Sequence, residues 1–342
     1  MAYTTINKST DHFNTKLYTG NNSTNAITGV GFQPDFTWLK PRNSADNHRL
    51  MDAVNSGKYL VSNDNRVEAS TGSNFASFDT DGFTLGGSDT GWNGSSVNYV
   101  SWNWKANGAG SANTDGTINS TVSVNSTAGF SIVKWTGNET ANSVGHGLGV
   151  VPSLIIVKSL ASQDAWYVYH KKLGATKSVF LNLTNAESTS STYWNNTAPT
   201  NSVFYIAGNT GTNNTGGMIA YCFAEKTGYS KFGSYTGNGS TDGPMIFLGF
   251  KPALFIMKET TDSSTNWIIY DNKRSTFNAV DDFLKPNSSD AESTGLDFDF
   301  LSNGVRCRTN NGGINGSGNN YIYLAFAEAP LIGTNNVPCT AR

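Results

Sequence analysis

An aromatic-Thr-Gly-Asn motif occurs three times in this chain of 342 residues, at Tyr18-Thr19-Gly20-Asn21, Trp135-Thr136-Gly137-Asn138 and Tyr235-Thr236-Gly237-Asn238. Each copy is followed by a proline, Pro34, Pro152 or Pro252, that opens an apolar run closing on Lys40, Lys158 or Lys258. A second apolar segment begins 65, 66 and 69 residues beyond the proline (Pro34 to Tyr99, Pro152 to Met218, Pro252 to Tyr321). A period of about 100 residues that keeps these spacings means one supersecondary unit repeated three times. The boundaries fall at 10–106, 128–227 and 228–330, with a Gly/Ser/Asn/Thr-rich linker over 107–127 and a tail over 331–342.

Within a unit, short segments rich in Val, Ile, Phe, Tyr and Trp alternate with turn residues, the pattern of strands. Trp166-Tyr167-Val168-Tyr169-His170 and Trp267-Ile268-Ile269-Tyr270-Asp271 read as strands, and Asp81-Gly82 and Asn303-Gly304 as hairpin turns requiring positive φ. Short helical turns are expected near 50–56 and 275–284. The expected fold is all-β, three tandem antiparallel β-sandwich repeats. The 36 Gly and 41 Asn, against 2 Gln, supply the residues that many tight turns need.

Charged residues make up only 14% of the chain and the net charge is −2, so no basic surface for nucleic acid is expected. No apolar run reaches the length of a membrane span, and the start Met1-Ala2-Tyr3-Thr4-Thr5 has neither the basic nor the apolar part of a secretion signal. Cys222, Cys307 and Cys339 are odd in number and far apart, which suits a reducing compartment and excludes a disulfide framework.

His12, His48, His146 and His170 form no ligand spacing, so neither a metal nor a cofactor is expected. His146, in a glycine-rich turn, reads as a turn residue bonded to backbone. The pairs Asp79/Asp81 and Asp297/Asp299 read as solvated faces. Gly312-Gly313-Ile314-Asn315-Gly316 lacks the lysine of a phosphate loop and reads as a hairpin loop. Trp92, seven residues before Tyr99, has a counterpart in Ile314, seven before Tyr321, and so reads as a plug under its loop. Trp194 has no such counterpart. It stands in a long polar loop, and Tyr193, Trp194, Asn195 and Asn196 could combine ring stacking with amide hydrogen bonds to a sugar; a packed core loop is the alternative.

The strings Thr114-Asp115-Gly116, Ala128-Gly129-Phe130-Ser131-Ile132-Val133, Gly145-His146-Gly147-Leu148-Gly149-Val150-Val151-Pro152 and Trp166 to His170 are distinctive, as are Tyr229 to Ser240, Ala325 to Pro330 and Val30 to Asp35. Along nearly the whole chain the sequence resembles a family of bacteriophage virion proteins frequent in marine phages. Its members are described as tail or other structural proteins with lectin-like sandwich domains of the concanavalin or jelly-roll kind. The resemblance implies a non-enzymatic component of the virion, made in the host cytoplasm and assembled with other virion proteins, as a homo-oligomer such as a trimer. A tail-fibre or receptor-binding role toward host surface carbohydrate comes first. A capsid or tail decoration without ligand comes second, and a glycan depolymerase third.

Overall fold

The computed structural model describes residues 3–333 and 337–339, so part of the expected tail lies outside the described residues. The chain is all-β, and its α-helices are single turns at Ser191–Trp194, Thr210–Asn213 and Gly312–Asn315. No helix of the described residues is long and apolar enough to cross a membrane. The helical turns expected near 50–56 and 275–284 are absent, because strand pairing and β-bridges claim much of both segments. Conversely, Gly312–Asn315 is a helical turn rather than a plain hairpin loop, capped by the Asn311 side chain accepting from the Gly313 N–H.

Each unit builds one sheet in the same order. An opening strand (Phe13–Thr19, Phe130–Thr136, Ser230–Thr236) pairs with the closing strand (Asn98–Trp104, Gly217–Phe223, Asn320–Pro330). The closing strand pairs with the proline strand (Phe36–Pro41, Leu154–Ser159, Phe250–Glu259), and that with a return strand (Arg49–Asp52, Tyr167–His170, Trp267–Asp271). All pairings are antiparallel. Pro34 and Pro152 precede their strands, while Pro252 sits at a register shift, the other place a ladder tolerates a missing N–H. The expected linker over 107–127 is a correction: Ser111–Asn113 and Ser120–Asn125 are strands that extend the second unit's sheet beside its opening strand.

A smaller sheet covers one face of each main sheet and encloses a local core, such as Phe255, Tyr270, Phe298 and Tyr321 in the third unit. The hairpins at 79–82 and 301–304 form as expected, but the two turn residues are Thr80-Asp81 and Ser302-Asn303. The glycines instead open the next strand, where a Cβ on Gly82 would lie 1.9 Å from the Ile27 carbonyl oxygen and one on Gly304 would lie 2.1 Å from that of Ile246. Close approach of a neighbouring strand, more than turn dihedrals, demands glycine there.

Tandem sandwiches are an incomplete description, because the other face of every main sheet turns inward and packs on its two counterparts. The largest hydrophobic cluster draws on all three units, including Phe36, Trp102, Phe130, Tyr221, Leu254 and Phe326. Pairing registers make Trp104, Phe223 and Phe326 equivalent residues, and their rings meet pairwise at 6.2, 5.6 and 5.8 Å. They mark a pseudo-three-fold axis. A core held in common should not unfold one unit at a time: chemical denaturation followed by Trp fluorescence and by far-UV circular dichroism is expected to give one coincident transition. Phe223→Ala should destabilise that single transition by about 3–5 kcal/mol.

Candidate functional site

The motif that defines the repeat is a clasp. In each unit an asparagine just before the closing strand, Asn93, Asn213 or Asn315, is fully buried and its Oδ1 accepts the backbone N–H of the motif asparagine, Asn21, Asn138 or Asn238. Its Nδ2 donates to a carbonyl two residues further on, that of Ser23, Thr140 or Ser240. The motif glycine is required because a Cβ on Gly20, Gly137 or Gly237 would lie 2.2–2.3 Å from a carbonyl oxygen of the facing loop. In the first and third units the motif tyrosine stacks on the first aromatic of the closing strand, Tyr18 on Tyr99 at 4.8 Å and Tyr235 on Tyr321 at 4.7 Å. Trp92 and Ile314 are buried under these loops, as plugs are.

Trp194 is 1% exposed, packs edge-on against Tyr169 at 5.8 Å and donates its indole N–H to the Lys177 carbonyl at 3.1 Å. The ring face that sugar stacking would need is therefore inside the protein, and the packed-loop alternative describes it. Tyr193 is half-buried with its hydroxyl 3.0 Å from that of Ser188. Of the four expected residues only Asn195 and Asn196, both at positive φ, are exposed to solvent. His146 is buried, with Nδ1 accepting the Leu148 N–H and Nε2 facing the Thr200 carbonyl. Asp81 accepts the N–H groups of Gly29 and Gly31, and Asp299 pairs with Arg308. No cluster of metal-ligating side chains occurs among the described residues.

The buried polar chemistry is concentrated instead at the seams between units. Asp52, His170 and Asp271 are equivalent by register, opposite Phe36, Leu154 and Leu254, and each reaches the closing strand of the next unit around the axis. Asp52 accepts the Tyr221 hydroxyl at 2.9 Å and Asp271 accepts the Trp102 indole N–H at 3.0 Å. In the third closing strand the equivalent residue is Leu324, which has nothing to donate. There His170 replaces the carboxylate, and its Nε2 bonds the Tyr323 carbonyl while Nδ1 accepts the Lys172 N–H. A second ring runs the other way: Trp166 donates to the Val61 carbonyl, Trp267 to that of Phe180, and His48 Nε2 to that of Lys285. Trp38 donates to Nδ1 of His48, which fixes the tautomer.

A third ring uses glutamates that the sequence reading passed over. The backbone N–H groups of Glu68, Glu187 and Glu292 bond the carbonyls of Leu160, Thr260 and Arg42 in the neighbouring unit. The repeated Ala-Glu-Ser-Thr at 186–189 and 291–294 was the signal for two of them. Lys40, Lys158 and Lys258 are fully buried donors to the carbonyls that follow them, and burial pulls each down to about 8. Lys158 and Lys258 also reach the carbonyls of Asn65 and Thr184 in the preceding unit.

Two predictions follow from this placement. Trp194→Ala should lower stability by about 3–5 kcal/mol, measured by denaturant titration, as expected for a large ring removed from a core. Burial raises Asp52 to about 6 and lowers His170 to about 4. The Asp52 contribution is thus present below its unfolded pKa near 3.9 and is lost as pH rises through about 6. The His170 contribution is present above about 6.5 and is lost as pH falls through about 4, so the two oppose each other across that window. Asp52→Asn should therefore lose stability more steeply than the wild type between pH 6.5 and 4, read from melting temperatures across that range.

No curated protein matches the chain, and no solved structure does. One family matches residues 8–330, described as a domain of unknown function, DUF7483. That match takes in all three units and every seam described above, and the chain belongs to the DUF7483 family.

Proposed function

We propose that the protein is a non-enzymatic component of a bacteriophage particle that binds host-surface carbohydrate. The observation that carries this reading is the resemblance along nearly the whole chain to phage virion proteins. Several residues of the resembling strings are ones on which the three-unit body depends: Trp166 and His170 bond across seams, Phe130 lies in the shared core, and Phe326 stands on the axis. A protein sharing these strings would share the body.

A binding role rather than catalysis is supported by where the strongly perturbed ionisable groups are spent. Perturbed groups in a cleft mark reactive sites, but Asp52, His48, His170 and the three buried lysines are engaged in seams and loop carbonyls. In each main sheet the opening and proline strands run the same way, so the asparagine clasps gather at one end of each unit while the connections between units lie at the other. Such a body presents loops outward and keeps its chain crossings away from them.

The decoration reading draws support from a different surface. Met245 and Phe247, 43% and 53% exposed, stand on the outer face of an edge strand, Met245–Phe247, in the third unit. An edge of this kind suits attachment to another particle protein. The shared reading is tested by proteomics and immuno-electron microscopy of purified particles. The protein is expected in stoichiometric amounts on the particle, and its absence there alongside abundance in infected cells would refute both readings.

A further inference from the structure

The three seams are equivalent in backbone but not in how the groove above each glutamate is filled. Two positions decide this. One is on the opening strand, where Leu17, Lys134 and Ser234 are equivalent by their pairing to Val100, Ile219 and Ile322. The other lies three residues past the Asp/His position, at Asn55, Leu173 and Arg274.

Between the first and second units, Lys134 Nζ donates to Asn55 Oδ1 at 2.7 Å, and Asn55 Nδ2 donates to Glu68 at 2.7 Å. That polar chain bridges the groove from wall to wall. Between the third and first units, Leu17 packs on the shared core, and Glu292 is gripped by Arg274 at 3.0 Å and by Arg42 at 2.6 Å. That groove is occupied by two guanidinium groups. Between the second and third units, Leu173 has no hydrogen-bonding group to offer Glu187, and Ser234 is too short to cross. A groove of about 300 Å³ is left open there, with Ser234, Thr260, Thr261 and Asn320 on one side and Leu173 and Lys177 on the other.

We propose that this groove between the second and third units is a binding site for an acidic oligosaccharide. The inference deepens the carbohydrate-binding reading and rests on it. The volume suits one to two sugar rings. Hydroxyls of Ser234 and Thr261 and the Asn320 amide can exchange hydrogen bonds with sugar hydroxyls, while Leu173 offers an apolar patch to a C–H face. Charge selects the acidic class. Glu187 is neutralised by Lys177, whereas Lys172 at the groove is exposed and has no carboxylate partner among the described residues. An anionic ring substituent would meet that free ammonium. Trp194 then has a positioning part: its indole N–H holds the Lys177 carbonyl, and thereby the strand whose side chain lines the groove.

The test uses the full chain, with oligogalacturonate and a heparin-derived tetrasaccharide as acidic probes and maltotetraose as neutral control, followed by isothermal titration calorimetry. The wild type is expected to bind at least one acidic probe and to discriminate against the neutral one. Ser234→Met puts an uncharged side chain of nearly lysine length into this groove, and should weaken binding by about tenfold or more with an unchanged melting temperature. Lys172→Ala, at an exposed position, should remove the preference for the acidic probe. Failure of the wild type to bind either acidic probe, equal binding of maltotetraose, or undiminished binding by Ser234→Met would each overturn the assignment. A protein found on purified particles that binds none of the probes would lose this site but keep its place in the virion. One that binds them but is absent from particles would keep the site and lose the virion reading.

Discussion

The contact of Trp104, Phe223 and Phe326 on the pseudo-three-fold axis is the constraint from which the rest of the architecture follows. Each ring lies on its unit's closing strand, flanked by aromatics of its own unit, and meets the rings of the other two units at the axis. Once three sheets are committed to face one another, their central strands are covered on both sides, by the small sheet outside and by the shared core inside. Polar side chains that reach the edge of a sheet, such as Asp52, His170 and Asp271, then find their partners across a seam, where an unpaired buried group would cost about 1–3 kcal/mol.

The seams show how this requirement is met without true symmetry. Two of the three equivalent positions hold a carboxylate facing a donor, Tyr221 or Trp102. The third holds His170, which supplies its own proton to a backbone carbonyl because the residue opposite is Leu324. The same place in the fold thus carries acceptor-to-donor in two cases and donor-to-acceptor in one. Exchanging a single residue between units, Asp for His, would leave a buried group unmatched, so the units are alike in shape and are not interchangeable in chemistry.

How much of this could be read from the sequence depended on whether the cause was local. The clasp was legible as aromatic-Thr-Gly-Asn because the glycine and asparagine act within one unit at fixed spacing. The shared core was not inferred, although its trace is present: Leu154-Ile155-Ile156-Val157 and Leu254-Phe255-Ile256-Met257 are continuous apolar runs, which mark strands covered on both faces, and a lone sandwich would alternate. The seam partners were invisible because Asp52 and Tyr221, or Asp271 and Trp102, are 169 residues apart. Trp194 misled for the opposite reason. Its lack of a counterpart in the other units looked like a sign of function, but a loop peculiar to one unit also needs its own plug.

The third seam is the one that no direct chain connection accompanies, since the first and third units are not consecutive in sequence. It is held by the Arg42–Glu292–Arg274–Asp271 chain, in which the side chains of Arg274 and Asp271 have no exposed surface. Near the base of the body Thr4 bonds the Thr227 carbonyl at 2.8 Å, and a Cβ on Gly228 would touch both Thr4 and Pro330. The start of the chain, the end of its last unit and the junction before that unit therefore meet in one place. In topological terms the body is a closed ring, in which a seam is sealed by side-chain and backbone bonds whether or not a peptide link runs beside it.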